Sequence, residues 1–375
     1  METAPNLVEL WDTLTAYGDL GKEAERSLPG SFYVSPTLFD HEVETLLGAE
    51  WICLGRGDEI PEPGDYFTQE VLGEPLLVVR GDDRAIRVLA NVCRHRSSPV
   101  ADGAGNRKFF VCPYHAWSYG RDGSLRRAPR MDRARLDKTT CRLPRYPSEI
   151  WAGFIYVNID GRATSLAPRL MALETLLANY HTGEMRFVHR GAETWRVNWK
   201  SLVENFIEAY HLSVVHSKTL HEITPTALAK KFTGGAGYTG YFSNYPKNQP
   251  SRGRGHPDLT PEERHRSTLF SIFPCHLVSQ AAGLLVSLML YPSSVDFVRV
   301  CWTMSVHGQD FSDAEIAELI ALWTRINEED RAKLEAVQRG LGSRHAEPGP
   351  LAPSDYEGTI REFYRYLAHT LPRPG

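Results

Sequence analysis

Cysteine is scarce in this chain, six in 375 residues, which excludes the disulfide framework of a small secreted domain. Charge of one sign is lacking too. With 42 basic against 46 acidic residues, a net charge of −4 and no dense basic run, nothing recommends nucleic acid or an anionic membrane as a partner. No segment is apolar for the length a bilayer needs, and Met1-Glu2-Thr3-Ala4-Pro5 has neither a basic nor an apolar leader region. A cytoplasmic protein is the expectation. A convincing glycine-rich dinucleotide fingerprint is missing, so a Rossmann-type cofactor loop is not expected in this chain. No internal repeat is visible. The length suits two domains.

Against these absences stand Cys93-Arg94-His95 and Cys112-Pro113-Tyr114-His115. Two thiolates and two imidazoles in C-x-H and C-x2-H loops form a four-ligand set. A structural zinc would place all four on one ion, although it more often takes C-x2-C with H-x3-5-H. A Rieske [2Fe–2S] cluster puts two Cys on one iron and two His on the other, so each loop supplies one ligand to each metal. The mixed halves suit the second scheme, and spacing alone admits both. Cys53, Cys141, Cys275 and Cys301 sit in apolar or strand-like contexts and read as small core residues.

Around this motif the chain reads as short strands at 66–71, 75–80, 86–90, 118–119 and 155–159, separated by turns such as Gly81-Asp82-Asp83 and Gly120-Arg121-Asp122-Gly123. That spacing predicts a small antiparallel β domain over 48–160. A helical lead-in, 1–47, precedes it, with apolar positions at helical spacing over 39–47, and is expected to pack on the domain formed by 161–375. In that last domain the pattern predicts a helix over 168–180 and extended chain over 185–199. Strands follow at 269–278, 284–291 and 295–307, and two helices open with the capping boxes Ser312-Asp313-Ala314-Glu315 and Ser354-Asp355-Tyr356-Glu357. The glycine- and proline-rich stretch 222–268 is long for a connection. Its interleaved Phe232, Tyr238, Tyr241, Phe242 and Tyr245 favour a substrate-side wall or lid.

The segment Asn198 to His211 reads as a strand end running into a helix, and His216 follows. On a regular helix residues i and i+5 are separated by roughly 140°, so His211 and His216 cannot both face one ion. A bend is therefore expected, placed between Leu212 and Val215 where Ser213, Val214 and Val215 weaken a helix. Two His with one carboxylate are the usual ligands of an oxygen-activating non-haem iron.

The Cys-Arg-His-Arg and Cys-Pro-Tyr-His…Trp blocks, followed by Asn-Trp-Lys…Glu-Asn…Glu-Ala-Tyr-His…His, resemble the Rieske-type non-haem iron oxygenases. The likeness is to their terminal oxygenase (alpha) subunits and covers most of the chain from about residue 35. The resemblance implies an α+β fold, a β-rich Rieske domain beside a helix-grip catalytic domain in which an antiparallel sheet wraps a long helix. It implies Cys93, His95, Cys112 and His115 on a [2Fe–2S] cluster and His211, His216 and a late-helix carboxylate on a mononuclear Fe(II). Asp330 matches that carboxylate, with Glu329 as runner-up; a solvated charged face is the plain reading of Glu328-Glu329-Asp330.

The resemblance also makes Glu208, three residues before His211, an acceptor for that imidazole and a bridge to His115 of a neighbouring subunit in a homotrimer. Glu at a position where many members have Asp resembles the subgroup that oxidises carnitine, betaines and stachydrine. Ser97 departs from the glycine common after Cys-Arg-His-Arg. A reductase, with or without a ferredoxin, would supply electrons, and O2 and a small molecule would be the substrates. C–H hydroxylation or oxidative N-demethylation of a quaternary ammonium is the first reading, in a pocket drawn from Tyr238, Tyr241, Phe242 and Tyr245. Phe273 and Trp302 are pocket candidates for which ordinary sheet packing is expected. Hydroxylation or cis-dihydroxylation of an aromatic is the alternative, and a non-catalytic zinc or Rieske binding protein the reading from another class.

Overall fold

A computed structural model describes residues 5–18, 25–132, 136–137 and 139–374. Met1 to Ala4, part of the stretch read for a leader, lie outside the described residues. Two compact units emerge, one of Cys53–Thr164 and one that joins Met1–Ile52 to Ser165–Gly375.

In the smaller unit the alternating runs become a five-stranded antiparallel sheet in the order Ala104–Asn106, Asp65–Val71, Glu74–Arg80, Ile86–Ala90, Arg145–Tyr146. A three-stranded sheet of Phe110–Val111, Ser118–Tyr119 and Leu125–Arg127 carries the second Cys/His loop. Tyr66, Leu77, Val79, Leu89, Phe110, Trp117, Tyr119 and Leu125 form the core, and Cys93 and Cys112 are buried in it. Cys53, Cys275 and Cys301 are buried as expected, while Cys141 is only half-buried.

The larger unit is built on a seven-stranded antiparallel sheet. Ala229–Lys231, Tyr238–Asn244, Arg266–Ile272, His276–Gln280, Leu284–Ser294 and Phe297–Val306 follow one another as a meander, and Arg186–Trp195 pairs with the last. Two expectations are corrected here. The run 269–278 is a hairpin rather than one strand, because Pro274 has no N–H for a ladder and the chain reverses at Phe273–Cys275. The stretch 222–268 is not a long connection: it supplies two strands of the sheet, and through Tyr241 of the second it forms a wall of the pocket described below rather than a lid.

Helix Trp199–Ile207, capped by Asn198 Oδ1 on the Lys200 N–H at 3.0 Å, lies against four of these strands. Helix Ser354–Thr370 buries Ile360, Phe363, Tyr364 and Leu367 beside it, and helix Asp313–Leu341 packs on both Trp199–Ile207 and Arg186–Trp195. The fold class is α+β. Ser312 and Glu315 make the expected capping box. Ser354 does not cap: Pro353 precedes the helix, and Glu357 accepts the Ala352 N–H instead.

The lead-in forms helices Leu7–Gly18, Ser31–Val34 and Pro36–Glu42, the last running into a π turn, Val43–Leu47. Its Glu42 is buried against the first turn of Trp199–Ile207. One carboxylate oxygen meets Lys200 Nζ at 2.6 Å, and the other accepts Trp199 Nε1–H at 2.9 Å.

Candidate metal centres

The two Cys/His loops share one backbone scheme that side-chain spacing conceals. In the first, Cys93 O accepts the Ser97 N–H and Cys93 N–H donates to Ser98 O, both at 2.9 Å. In the second, Cys112 O accepts the Ala116 N–H at 3.0 Å and Cys112 N–H donates to Trp117 O at 2.8 Å. The fifth residue of each, Ser97 at φ +56° and Ala116 at φ +58°, is left-handed, which closes the turn. Each loop thereby sinks its Cys into the core and leaves its His at the surface.

The imidazoles of His95 and His115 lie side by side, ring centroids 4.6 Å apart, and His95 stacks on Trp117 at 5.0 Å. Burial raises the Cys112 thiol pKa, but main-chain N–H groups of Tyr114 and His115 outweigh it and draw the value below the ordinary one, as a thiolate ligand requires. Desolvation and repulsion from His95 and Arg96 hold His115 below its ordinary value, toward the neutral form that binds metal. Tyr119, which the sequence presents only as a strand residue, puts its hydroxyl 3.2 Å from Cys93 Sγ. Two groups of three or more ligand residues converge within 4.8 Å among the described residues, and neither includes these four. Ligands about 2.0–2.3 Å from one zinc would converge. A two-metal cluster, with a Cys pair inside and a His pair outside, fits the wider separation.

One of the two convergent groups is His211, His216 and Asp330. The helix that leads to it ends earlier than expected. Ile207 is its last residue, Glu208 is extended at φ −109°, ψ 153°, and His211 starts a separate turn, Leu212–Val215, that His216 ends. The bend thus lies at Glu208–Tyr210, not within 212–215. This break brings both Nε2 atoms to Asp330 Oδ1, at 3.7 Å from His211 and 3.1 Å from His216.

Each Nδ1 faces another carboxylate: Glu208 Oε1 for His211 and, at 2.8 Å, Glu329 Oε2 for His216. An imidazole that donates from Nδ1 offers a lone pair at Nε2. Three lone pairs then face one point, and Asp330 Oδ1 is buried without a hydrogen-bond donor. Burial alone would lower the pKa of both imidazoles, yet the carboxylates raise it, so the site calls for a cation. The donor set fits a ferrous ion held by two His and one carboxylate with open positions. Asp330 faces both Nε2 atoms, and Glu329 stands behind His216.

Beside these three residues is a narrow pocket that opens to solvent. Phe206, Tyr241 and Trp323 give it aromatic faces, Asn205 and Asn327 are its amides, and no Lys or Arg lines it. Of the four aromatics expected there, only Tyr241 is present. Tyr238 and Phe242 fall on the other face of their strand by the two-residue period. The Phe242 ring meets the Arg266 guanidinium at 3.8 Å, and Tyr245, beyond the strand, bonds Ser267 Oγ at 2.7 Å. Phe273 stacks on Tyr366, and Trp302 lies against His189. Trp323 and Asn327 went unread, although they stand seven and three residues before Asp330, on the face of the helix that the 3.6-residue period predicts.

Residues 50–147 match the Rieske [2Fe-2S] domain family, and residues 177–373 match the ring hydroxylating alpha subunit (catalytic domain) family. The carnitine monooxygenase oxygenase subunit of Acinetobacter pittii (strain PHEA-2) is 29% identical over 329 residues, 85% of this chain and 86% of that protein. Its counterpart in Escherichia coli (strain K12) is 27% identical over 328 residues, 85% of each. Among solved structures, the quaternary ammonium Rieske monooxygenase CntA in complex with L-carnitine aligns with TM-score 0.79 at 25% identity, over 92% of this chain and 96% of that one. Naphthalene 1,2-dioxygenase from Rhodococcus sp. bound to indole shares the fold, with TM-score 0.82 at 23% identity over 98% and 99%. A non-catalytic zinc protein is thereby set aside. With a catalytic-domain match over more than half its length and a Rieske match before it, this chain belongs to the ring-hydroxylating alpha-subunit family, the Rieske non-haem iron oxygenases.

Proposed function

We propose that the protein is the terminal oxygenase of a quaternary ammonium monooxygenase, supplied with electrons by a separate NAD(P)H-dependent reductase. The observation that carries this reading is the cavity next to Asp330: three aromatic faces, no basic side chain, and donors without protein partners. A quaternary ammonium cannot donate a hydrogen bond and is held by aromatic faces. Tyr241 Oη, Trp323 Nε1 and Asn327 Nδ2 are buried with no hydrogen-bond partner in the protein. They suit an oxygen acceptor on the same molecule, such as a hydroxyl or a carboxylate.

In this reading Cys93, His95, Cys112 and His115 hold the [2Fe–2S] cluster, and His211, His216 and Asp330 hold the iron. Bound there, the iron supplies oxygen activation and insertion into a C–H bond. Substrate, O2, NAD(P)H and a proton give hydroxylated product, water and NAD(P)+. A hydroxyl placed on an N-methyl group makes it N-hydroxymethyl; its C–N bond then breaks, the electron pair staying on nitrogen, to release formaldehyde, a proton and the tertiary amine. The chain's own groups position and exclude. Glu208 and Glu329 fix the ring orientations of His211 and His216, and Phe206, Leu269, Leu288 and Trp323 keep bulk water from the reacting C–H.

Glu208 keeps a spare lone pair on Oε1 and lines an open cleft with Glu204 and Glu357, and His115 is exposed. We infer a path between His115 of one subunit and Glu208 of the next in a homotrimer, a reading supported by the exposure of the first and the cleft beside the second. A CntA structure is described in terms of inter-subunit electron transfer. We infer a cytoplasmic protein, with NAD(P)H at hand for the reductase. No helix among the described residues is long and apolar enough to cross a membrane.

The test is oxygen uptake with a reductase, NADH and a panel of L-carnitine, γ-butyrobetaine, glycine betaine and choline against benzoate and naphthalene, with formaldehyde and trimethylamine assayed. Uptake coupled to a quaternary ammonium supports the assignment; uptake with an arene alone overturns it. Glu208→Gln should keep both metals and slow reoxidation of the cluster by substrate-bound enzyme, and full turnover in that variant would remove the bridge.

A further inference from the structure

The second convergent group, His181, His256 and Asp258, is not a metal site: its two rings stack 3.6 Å apart, and His256 Nδ1 already accepts the Asp258 N–H. A different feature is left unused by the oxygenase reaction. A cleft of about 540 Å³ lies between helix Ala167–Leu177, the last turns of helix Ser354–Thr370 and the loop Gly234-Gly235-Ala236, and it shares no lining residue with the iron pocket. Its charged and titratable side chains are Arg169, Glu362, Arg365 and His369. Glu50 holds Arg169 through both terminal nitrogens, at 2.7 and 3.1 Å, and Glu362 places one oxygen on Lys231 Nζ and the other on Thr239 Oγ1. Those pairs cancel. Arg365, half-buried in the wall, and His369, one turn further along the same helix, have no hydrogen bond or ion pair among the described residues.

The cleft therefore holds a surplus of donors and of positive charge. The Arg365 guanidinium has a planar fork of N–H groups, none of them spent, and Arg169 keeps those that Glu50 does not take. Glu362 has both oxygens engaged and competes for neither. A Cβ on Gly234 would collide with Glu362 Oε2 and one on Gly235 with the Tyr238 ring, so glycine is what lets the loop pass close and keeps the cleft open. The dipole at the end of a helix favours cations there, which would account for Arg365 and His369 on any face of the last turns. It does not account for their meeting Arg169 in one cleft. The volume lies within the roughly 300–1,000 Å³ of small-molecule sites, and an arginine fork binds carboxylate and phosphate oxygens in pairs.

We propose that this cleft binds a small molecule through a carboxylate or phosphate group, with Arg365 as the principal binding residue and Arg169 and His369 beside it. Ligand oxygens take the N–H groups of Arg365, and the anion balances the charge that the two internal pairs leave over. The site reaches toward the iron through its helix. Earlier in Ser354–Thr370, Tyr356 O accepts the Ala209 N–H at 3.0 Å and Thr359 Oγ1 donates to Ile207 O at 2.6 Å, which holds the chain where it breaks before His211. An occupied cleft thus adds stability to the helix that braces the iron site.

The test titrates full-length, metal-loaded protein calorimetrically with inorganic phosphate and, separately, with succinate, in chloride at matched ionic strength. The expected result is a saturable binding step that is weakened about tenfold or more in Arg365→Gln, as loss of hydrogen bonds to a charged group requires. The step should persist in Asp330→Ala, which removes any binding to the iron, and Arg365→Lys should recover part of it. Retained cluster absorption shows that each variant folds. Saturation by phosphate alone assigns a phosphoryl group, by succinate alone a carboxylate, and by both the chemistry they share. Phosphate also raises Tm by its exclusion from any protein surface, so only the part of the rise lost in Arg365→Gln counts for the site. Saturable binding of neither probe overturns the proposal, and so does equal affinity in wild type and Arg365→Gln.

Discussion

Glu329 and Asp330 are adjacent acids on one helix, and the structure gives them opposite duties that metal retention can separate. Asp330 Oδ1 faces both Nε2 atoms, whereas Glu329 Oε2 accepts from His216 Nδ1 at 2.8 Å and from Thr219 Oγ1 at 2.6 Å. Removing an acceptor behind a metal-bound His costs about 10–100-fold in metal affinity, or roughly 1.4–2.8 kcal/mol. Glu329 is itself 22% exposed, so water can enter the space its side chain leaves, and Glu329→Ala should fall at the lower end of that range. Asp330→Ala deletes a ligand and should leave no bound mononuclear iron. The assay is dialysis against a graded ferrous chelator, with iron counted per chain and the cluster share fixed by its visible absorption. If Glu329→Ala releases iron at lower chelator than Asp330→Ala does, the two roles are exchanged and the lone-pair argument is wrong.

Ser97→Gly should stabilise the first cluster loop, because glycine adopts φ +56° without the Cβ penalty. The gain is held to about 1 kcal/mol or less by glycine's greater unfolded-state entropy, and a lowered unfolding midpoint would contradict it. Glu42→Gln leaves the Lys200 ammonium buried and unpaired and should cost about 3–5 kcal/mol, while Glu42→Leu with Lys200→Met loses far less. Chemical denaturation compares them, and equal losses would mean that the pair is not coupled. Glu204 is half-buried, and desolvation pushes its carboxyl from 4.5 up to about 8 despite the Tyr33 hydroxyl at 2.6 Å. The folded state thus keeps a proton that the unfolded chain gives up, and stability falls as pH rises from 4.5 to about 8. Glu204→Gln should abolish that loss, so its Tm advantage over wild type must grow across this window; a flat difference counts against the shift.

Where the chain's physics is local, the sequence was legible. Strands of the small β unit, the Ser312 cap and the apolar face of helix Ser354–Thr370 rest on neighbours within a few residues, and they were read to within a residue or two. Long-range terms account for the failures. Tyr238–Asn244 is a strand because it pairs with Arg266–Ile272, so a glycine-rich stretch that reads as a lid becomes sheet. The same pairing sets which face each aromatic takes, and it sends Tyr238 and Phe242 away from the iron while Tyr241 turns toward it. Trp323 and Asn327 were within reach, since extending the helical row back from Asp330 finds them.

The bend at the iron site shows how a correct contact can rest on an incorrect reason. Helical geometry does forbid His211 and His216 from facing one ion, and a break is needed; weak helix formers pointed to 212–215. Those four residues are instead a helical turn, and the break falls one step earlier. Glu208 makes it. Its carboxylate accepts the N–H groups of Tyr210 and His211, capping the next turn as it also takes the Nδ1–H of His211. The remaining backbone groups of the break are held from far away in sequence: the Ala209 N–H by Tyr356 O at 3.0 Å, and Ala209 O by Thr226 Oγ1 at 2.9 Å. Neither partner is visible to local propensity. The contact between Glu208 and His211 therefore comes from a capped break and not from one turn of continuous helix, and the residue proposed to carry electrons also builds the bend that lets two histidines share a metal. Glu208→Gln, which retains an acceptor, should then keep iron, whereas Glu208→Ala should lose iron affinity together with the bend.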